Sequence, residues 1–492
     1  MRDRVFLFCL AAAVAACYAP GLRAPASYDD RAAVLSNPAA ASLPLALERT
    51  LREVPPHRHL TEASFALNRL LAGESLPALR VGNILIHLGA TGLVFLLARR
   101  WGGSGLARWA AAFFALHPLG IQAVTYLCQR ATGLESLLAL LSLCLYGIRG
   151  SRLAYAGALG AATLALGAKE TALTIPLLLA AAAWILRDGS LRRWLPFGAL
   201  AAVAVALKLA HPGEGMASAY GFSPRDYLLL QLPIVLGYLR LALLPFPLHF
   251  LHDRVVPVPG HAPELPWTAI LLSGALLAAL AGWALFGPAR HRLPRLGIAL
   301  FLAPLALESA VPIQDLAFNH RCYPGLLGMG LLFAWVASRL GHPWPVLVLL
   351  GALTLRENAA WASPRTLLAR DVRNAFHLDV AWGNYAWHRL GRGDAVQAER
   401  LFRHALHSPW KEMRVRLGEA AALIALGRVP EGRGRIDAVM RDFPAEGGPV
   451  RLALQEAVRS GDEARISDIV RRAEGKVTDP ELETWFRSLR RR

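Results

Sequence analysis

The chain has 492 residues, 55% of them hydrophobic and only 18% charged, with a formal net charge of +18. A mean hydropathy of +0.37, together with apolar runs close to the roughly 20 residues that span a bilayer, excludes a chain made wholly of soluble domains. The positive charge does not point to nucleic acid: the basic residues sit in short clusters at the ends of apolar runs (Arg99 with Arg100, Arg192 with Arg193, and 290–295) rather than on one continuous face. A membrane lipid with an anionic headgroup, or a lipid phosphate, suits such clusters better. The cysteines Cys9, Cys17, Cys128, Cys144 and Cys322 are odd in number and lack CxxC spacing, so neither a disulfide framework nor a zinc site follows.

Arg2 and Arg4 precede an apolar stretch over 5–16 that has the pattern of a signal peptide, and Val14-Ala15-Ala16-Cys17 has the shape of a lipoprotein cleavage box. With many apolar helices following, an uncleaved first helix is the simpler reading. The hydropathy pattern predicts helices over 5–22, 81–99, 105–125, 131–149, 153–168, 170–187, 194–211, 226–246, 267–287, 295–312, 323–340 and 343–356. Placing every basic cluster on the cytoplasmic side leaves the segment 226–246 starting and ending on the outer side, re-entrant or lying on the surface. If it crosses instead, the 290–295 cluster lies outside, against the rule. The first option leaves about eleven crossings, a long external loop over 23–80, and a C-terminal domain on the external side. The sequence after Arg356 reads as soluble.

Within that domain, 357–492, Gly393, Gly427 and Gly461 are 34 residues apart. Ala398, Phe402 and Ala405 recur at the same interval as Gly432, Ile436 and Val439. Small and bulky residues at these offsets let paired helices stack, which predicts a tetratricopeptide-repeat α-solenoid with repeats near 379–412 and 413–446 and a fainter third near 447–480 that also suits a capping element. The expected fold is therefore all-α: a polytopic transmembrane helix bundle over 1–356 followed by the solenoid.

The candidate chemistry lies on the external side. Asp29 and Asp30 follow the first helix, where a carboxylate pair serves as a general base, as a ligand set for a divalent cation, or simply as a solvated loop start. Because a bare loop carboxylate contributes little to packing, Asp30→Asn is expected to leave the fold intact. Arg130 and Lys169 stand at helix ends, where snorkelling to the interface competes with a binding role. His117, before Pro118, competes between a site role and capping a helix end. Glu135 and Glu308 lie in or near apolar runs and need internal partners.

A set of positions then recurs in order: Tyr28-Asp29-Asp30 and Asn37-Pro38; Arg58-His59-Leu60-Thr61 and Phe65-Ala66-Leu67-Asn68; Asn83 and His87; Leu116-His117-Pro118, Ala123-Val124 and Arg130; Lys169-Glu170; Pro245, Leu248 and Asp253; His320-Arg321 and Tyr323; and Arg356-Glu357-Asn358 with Trp361. This ordered set resembles the transmembrane and tetratricopeptide-repeat-containing O-mannosyltransferases and their bacterial relatives in the GT-C glycosyltransferase superfamily. The resemblance implies an enzyme of the bacterial inner (plasma) membrane, multi-pass, with its active site and repeats on the external, periplasmic side. Such an enzyme moves a sugar from a polyprenyl-phosphate-linked donor to a hydroxyl of an exported protein, an acceptor that the repeats would help to hold. By the same resemblance Asp29 and Asp30 are catalytic, directly or through a divalent cation such as magnesium or manganese. Arg58, Arg130, Lys169, His320 and Arg321 bind the donor phosphate, and His117, Glu170 and Asp253 are further candidates. The chain departs from the family where Gln122 and Asn319 replace acidic residues and where His59 replaces a proline. A non-catalytic scaffold recruiting exported partners, and an O-antigen ligase or polymerase, stand as alternatives. A transporter fits less well, since no inverted repeat is visible.

Overall fold

The computed structural model describes residues 2–53, 58–188, 191–210, 223–248, 250, 265–310, 316–341, 343–375, 378–406, 413–477 and 480–489. Among them, every regular element is helical. The chain divides into two compact units, one of Met1–Phe250 with Ala262–Pro364, the other containing Arg365–Arg492.

The first unit begins with α1 (Arg2–Tyr18), followed by two amphipathic helices, α2 (Leu43–Arg52) and α3 (His59–Ala72). Helix α4 (Leu76–Leu116) covers two of the sequence-predicted helices in one rod bent at Gly103, whose φ of 82° is open to glycine but costly for other residues. The remaining helices are α5 (Arg130–Gly147), α6 (Arg152–Ala168), α7 (Ile175–Leu186), α8 (Leu191–Ala210), α9 (Pro224–Leu243), α10 (Trp267–Phe286), α11 (Arg292–Ala310), α12 (Leu326–Leu340) and α13 (Trp344–Trp361). Serine hydroxyls cap the first turns of α4, α6 and α9, at Ser75, Ser151 and Ser223. By length and composition, six helices among the described residues can cross a membrane. The protein is a multi-pass, all-helical membrane protein.

Side-chain contacts sort the loops to two ends. At one end, Asp3 pairs with Arg108 at 2.7 Å and lies 3.9 Å from Arg99. Arg100 reaches the Gly147 carbonyl, Arg149 pairs with Asp188, and Arg193 donates to the Tyr146 carbonyl. Trp184 donates to the Leu285 carbonyl and Arg295 to that of Ala284, so the cluster at 290–295 shares this basic end. The opposite end carries Asp29 and Asp30. Between the ends, Gly297 of α11 and Gly328 of α12 touch so closely that a Cβ on Gly297 would lie 2.6 Å from the Gly328 carbonyl oxygen. Small residues permit this backbone approach, which packs the start of α12 against the first half of α11.

Length and composition make α9 a candidate span, but its contacts place it along the carboxylate end. Its Tyr227 hydroxyl donates to the Glu308 carbonyl, and its Gln231 amide donates to the Leu316 carbonyl. The Tyr238 hydroxyl accepts from Phe318 N, and the Ala242 carbonyl lies 3.2 Å from His117 Nε2. All four partners belong to loops or helix termini of that end. The physical reason is the polar spacing of Tyr227, Gln231 and Tyr238, which needs hydrogen-bonding neighbours that a lipid-facing helix lacks.

The second unit contains α14 (Pro364–Asn374), then α15 (Asp379–Gly391) with α16 (Ala395–Ala405), α17 (Met413–Ala425) with α18 (Val429–Asp442), and α19 (Gly447–Ser460) with α20 (Glu463–Ala473), then α21 (Pro480–Leu489). Gly393, Gly427 and Gly461 close the first helix of each pair at φ of 83°, 78° and 68°, the left-handed termination that glycine supplies most cheaply. Ala398, Phe402 and Ala405 are buried in one pair, and Gly432, Ile436 and Val439 in the next. At Gly432 a Cβ would lie 3.0 Å from the Ala420 carbonyl oxygen, so the small residue sets how closely α17 and α18 pack. Arg433 bridges Glu456 and Asp462, both at 2.9 Å, tying the second pair to the third.

Candidate active site

Three carbonyls and one guanidinium shape the loop that presents the carboxylates. Arg80, near the start of α4 and buried, donates through Nε to the Thr125 carbonyl at 3.0 Å and through Nη2 to the Pro25 carbonyl at 2.9 Å, and it also reaches the Ala24 carbonyl. This strut holds residues 24–25 against the segment 118–130, so the next residues cannot swing away. Tyr28 sits at φ 49°, a strained value for a non-glycine residue, and turns the chain so that Asp29 and Asp30 face different surroundings.

Asp30 is buried, 1% exposed. Its Oδ1 accepts from Cys128 N at 2.9 Å and its Oδ2 from Ser27 N at 3.1 Å. Burial pushes its carboxyl up to about 6 from an ordinary 3.8; the two amide bonds and Arg80 pull the other way, and the neighbouring Asp29 adds to the rise. The expectation of a solvated loop carboxylate at Asp30 is thereby corrected: the side chain braces the loop to Cys128. Asp30→Asn would turn an amide NH₂ toward one of two N–H groups, stranding a buried donor at a cost of about 1–3 kcal/mol. The melting temperature should therefore fall for Asp30→Asn. The wild type should also lose thermal stability as pH rises from 3.8 to about 6, and remain flat above, because the folded state holds this proton more tightly than the unfolded chain. The Asn variant should lack that step.

Asp29, in contrast, is exposed. Its carboxylate accepts from the Tyr126 hydroxyl at 3.1 Å, and that hydroxyl accepts from Asp29 N at 3.0 Å. Around it lies an aromatic floor: Tyr28 stacks on Phe250 with centroids 3.8 Å apart, and Tyr126 lies 5.7 Å from Trp361. A divalent cation takes six or more oxygen ligands when it is calcium, and near-octahedral oxygen geometry when it is magnesium. Here one outward carboxylate faces the surface while both oxygens of the other are held by backbone amides. Among the described residues, no group of three or more His, Cys, Asp or Glu side chains gathers into a metal-binding set. The residues present do not fit a cation held by Asp29 and Asp30.

The cations form a second cluster at the same end. Lys169 Nζ lies 3.1 Å from Glu308 Oε1 and donates to Thr132 Oγ1 at 3.1 Å. Arg321 Nε lies 2.9 Å from Glu308 Oε2, and its Nη1 donates to the Leu316 carbonyl at 2.8 Å. One carboxylate thus bridges two buried cations. The internal partner that Glu308 requires consists of these two groups, while Glu135 accepts from Ser136 Oγ. His320 stacks on Phe318 at 5.0 Å, and its backbone N–H donates to Gln122 Oε1 at 3.0 Å. Gln122 therefore keeps an acceptor at that position without the charge of a carboxylate. Arg58 and Glu170 are half-exposed and face each other at 3.8 Å.

The two clusters are joined through the segment around Cys128. Its amide holds Asp30, and Thr132, four residues on, holds Lys169. Four residues reach at most about 14 Å between Cα atoms.

Two of the residues expected at the site act differently. Arg130 is buried beneath α3: Nε donates to Asn83 Oδ1 at 2.6 Å, Nη1 to the Ser64 carbonyl at 3.0 Å, and Nη2 to Asn68 Oδ1 at 2.8 Å and the Leu79 carbonyl at 2.6 Å. Its guanidinium also lies 3.7 Å over the Phe65 ring. With its donors spent on protein acceptors, it clamps α3, α4 and α5 together, and the expected phosphate contact does not fit. Arg130→Ala should lower the melting temperature strongly, by roughly 3 kcal/mol of stability, because several buried acceptors lose their donor together. Thermal melting of the purified protein checks this. His117 likewise caps the turn that follows it, its Nδ1 accepting from Leu119 N at 3.2 Å, with Nε2 on the Ala242 carbonyl. Asp253 lies outside the described residues.

Arg80 and Tyr126 had not been singled out from sequence. An arginine near the start of an apolar helix is a signal for Arg80, since a charge there needs a partner; Tyr126 carries no such mark.

No family model matches the chain, and no curated protein matches it. Among solved structures, it is similar to ArnT from Cupriavidus metallidurans bound to undecaprenyl phosphate, at 17% identity and a TM-score of 0.42, covering 87% of this chain and 78% of that one. It is similar also to the apo state of that protein, at 17% identity and a TM-score of 0.44, covering 89% and 80%.

Proposed function

We propose that this protein is a GT-C-type membrane glycosyltransferase that moves a sugar from a polyprenyl-phosphate-linked donor to a hydroxyl of an exported protein. The observation that carries the reading is the pairing, at one end of an apolar bundle, of an outward carboxylate at Asp29 with two buried cations bridged by Glu308. In the proposed reaction the acceptor oxygen attacks the anomeric carbon of the donor. Its proton passes to Asp29, and the bond from that carbon to the phosphate oxygen breaks. The phosphate leaves as an anion, stabilised by Lys169 and Arg321, with Arg58 and His320 as further candidates at the same end. Polyprenyl phosphate is a good leaving group, so no strong acid is needed. Asp30 serves as a brace for the reactive loop.

On this reading the catalytic end faces the external, periplasmic side of a bacterial inner membrane, and the helix pairs of the second unit are tetratricopeptide repeats that hold the acceptor. The test uses the full chain in lipid nanodiscs with a polyprenyl-phosphate-linked sugar and a serine- and threonine-containing peptide. Release of polyprenyl phosphate coupled to peptide glycosylation is expected. If wild-type protein neither binds nor turns over any such donor, the reading fails.

A further inference from the structure

A second cluster of guanidinium groups lies at the basic end. There the bend of α4, the ends of α5 and α7 and the start of α8 enclose a cleft lined by Arg100, Arg149, Arg193 and Asp188. Each arginine is set in place by a protein group. Arg100 lies across Gly147, where a Cβ would come within 2.6 Å of its Nη1, and donates to the Gly147 carbonyl. Arg149 pairs with Asp188. Arg193 donates to the Tyr146 carbonyl at 2.9 Å and lies over the Tyr146 ring at 4.8 Å. Among the described residues, these contacts use a minority of the five N–H donors each guanidinium carries. Three cations face one carboxylate, so the cleft is net positive.

We propose that this cleft seats the phosphate of an anionic phospholipid from the leaflet at the basic end. The charge balance selects an anion, and planar guanidinium groups match phosphate oxygens. Basic pockets between membrane helices are suited to lipid headgroups for this reason. The inference does not depend on the activity proposed for the opposite end.

The test uses full-length protein in nanodiscs of phosphatidylcholine alone or with phosphatidylglycerol. Native mass spectrometry reads retained lipid, and thermal melting reads stabilisation. Wild-type protein should retain phosphatidylglycerol in preference to phosphatidylcholine and melt higher in its presence, and millimolar inorganic phosphate should not substitute for it. Arg100 and Arg149 are exposed enough to replace without disturbing the core. Arg100→Gln and Arg149→Gln should each weaken retention about fivefold. The pair Arg290→Gln and Arg292→Gln, at the same end but outside the cleft, should leave it unchanged. Equal retention of both lipids by the wild type, an equal loss in the control pair, or full replacement by inorganic phosphate overturns the proposal. The wild-type comparison decides by itself if a variant fails to fold.

Discussion

Asp29→Asn should lower sugar transfer by about 10²–10⁴-fold, the range that a positioned general base contributes, while the melting temperature stays close to that of the wild type. The asymmetry between the two carboxylates leads to this expectation. Asp29 is exposed and bonded to a single hydroxyl, so an isosteric amide there strands no buried amide. Asp30 is buried and holds two backbone N–H groups, so its replacement acts first on the loop. Parallel measurement of turnover and melting for both variants separates the roles. Full activity in Asp29→Asn would remove the proposed base. A large fall in its melting temperature would mean that Asp29, too, is a brace.

Arg321→Ala should reduce turnover by about 10²–10³-fold, as expected when a donor aimed at developing charge is lost from a poorly hydrated site. Arg321→Lys should recover only part, because an ammonium keeps the charge but loses the fork. Glu308→Gln provides the opposite control. Its carboxylate now neutralises both Lys169 and Arg321, so removing that charge should tighten binding of polyprenyl phosphate to wild-type-like folded protein. Titration of polyprenyl phosphate against the three variants measures this. If Glu308→Gln weakens binding, Glu308 orients the two cations for phosphate rather than competing for them.

Much of the architecture was legible in the residues. Apolar runs capped by arginine clusters predict the helices; the bend at Gly103 merges two of them, and the second ends at Leu116 rather than near 125, because the polar His117-Pro118 turn breaks it. Gly393, Gly427 and Gly461, spaced 34 residues apart, each follow a helix and have the left-handed φ that glycine tolerates. Both ends of α9 contact groups at the carboxylate end, through Glu308 and His117. The helices and the glycine turns depend on local pattern: hydrophobic length, charge at helix ends, and backbone freedom.

The division of labour among the polar residues was not legible, for a physical reason. Arg130 and Arg321 both stand beside apolar helices, and nothing in their sequence neighbours tells which acceptors each meets. The distinction lies in which acceptors the fold brings within about 3 Å: for Arg130 two asparagines and two carbonyls from α3 and α4, for Arg321 the shared carboxylate of Glu308 and the Leu316 carbonyl. Asp29 and Asp30 are adjacent in the chain and opposite in environment because Tyr28 turns the backbone and Arg80 pins it, contacts that span 50 or more residues. Sequence by itself determined the membrane bundle, the positions of its helices and the paired-helix C-terminal part, since each follows from local periodicity. The tertiary structure alone decided which partners each charge meets, because burial and long-range hydrogen bonding set the environment of each group.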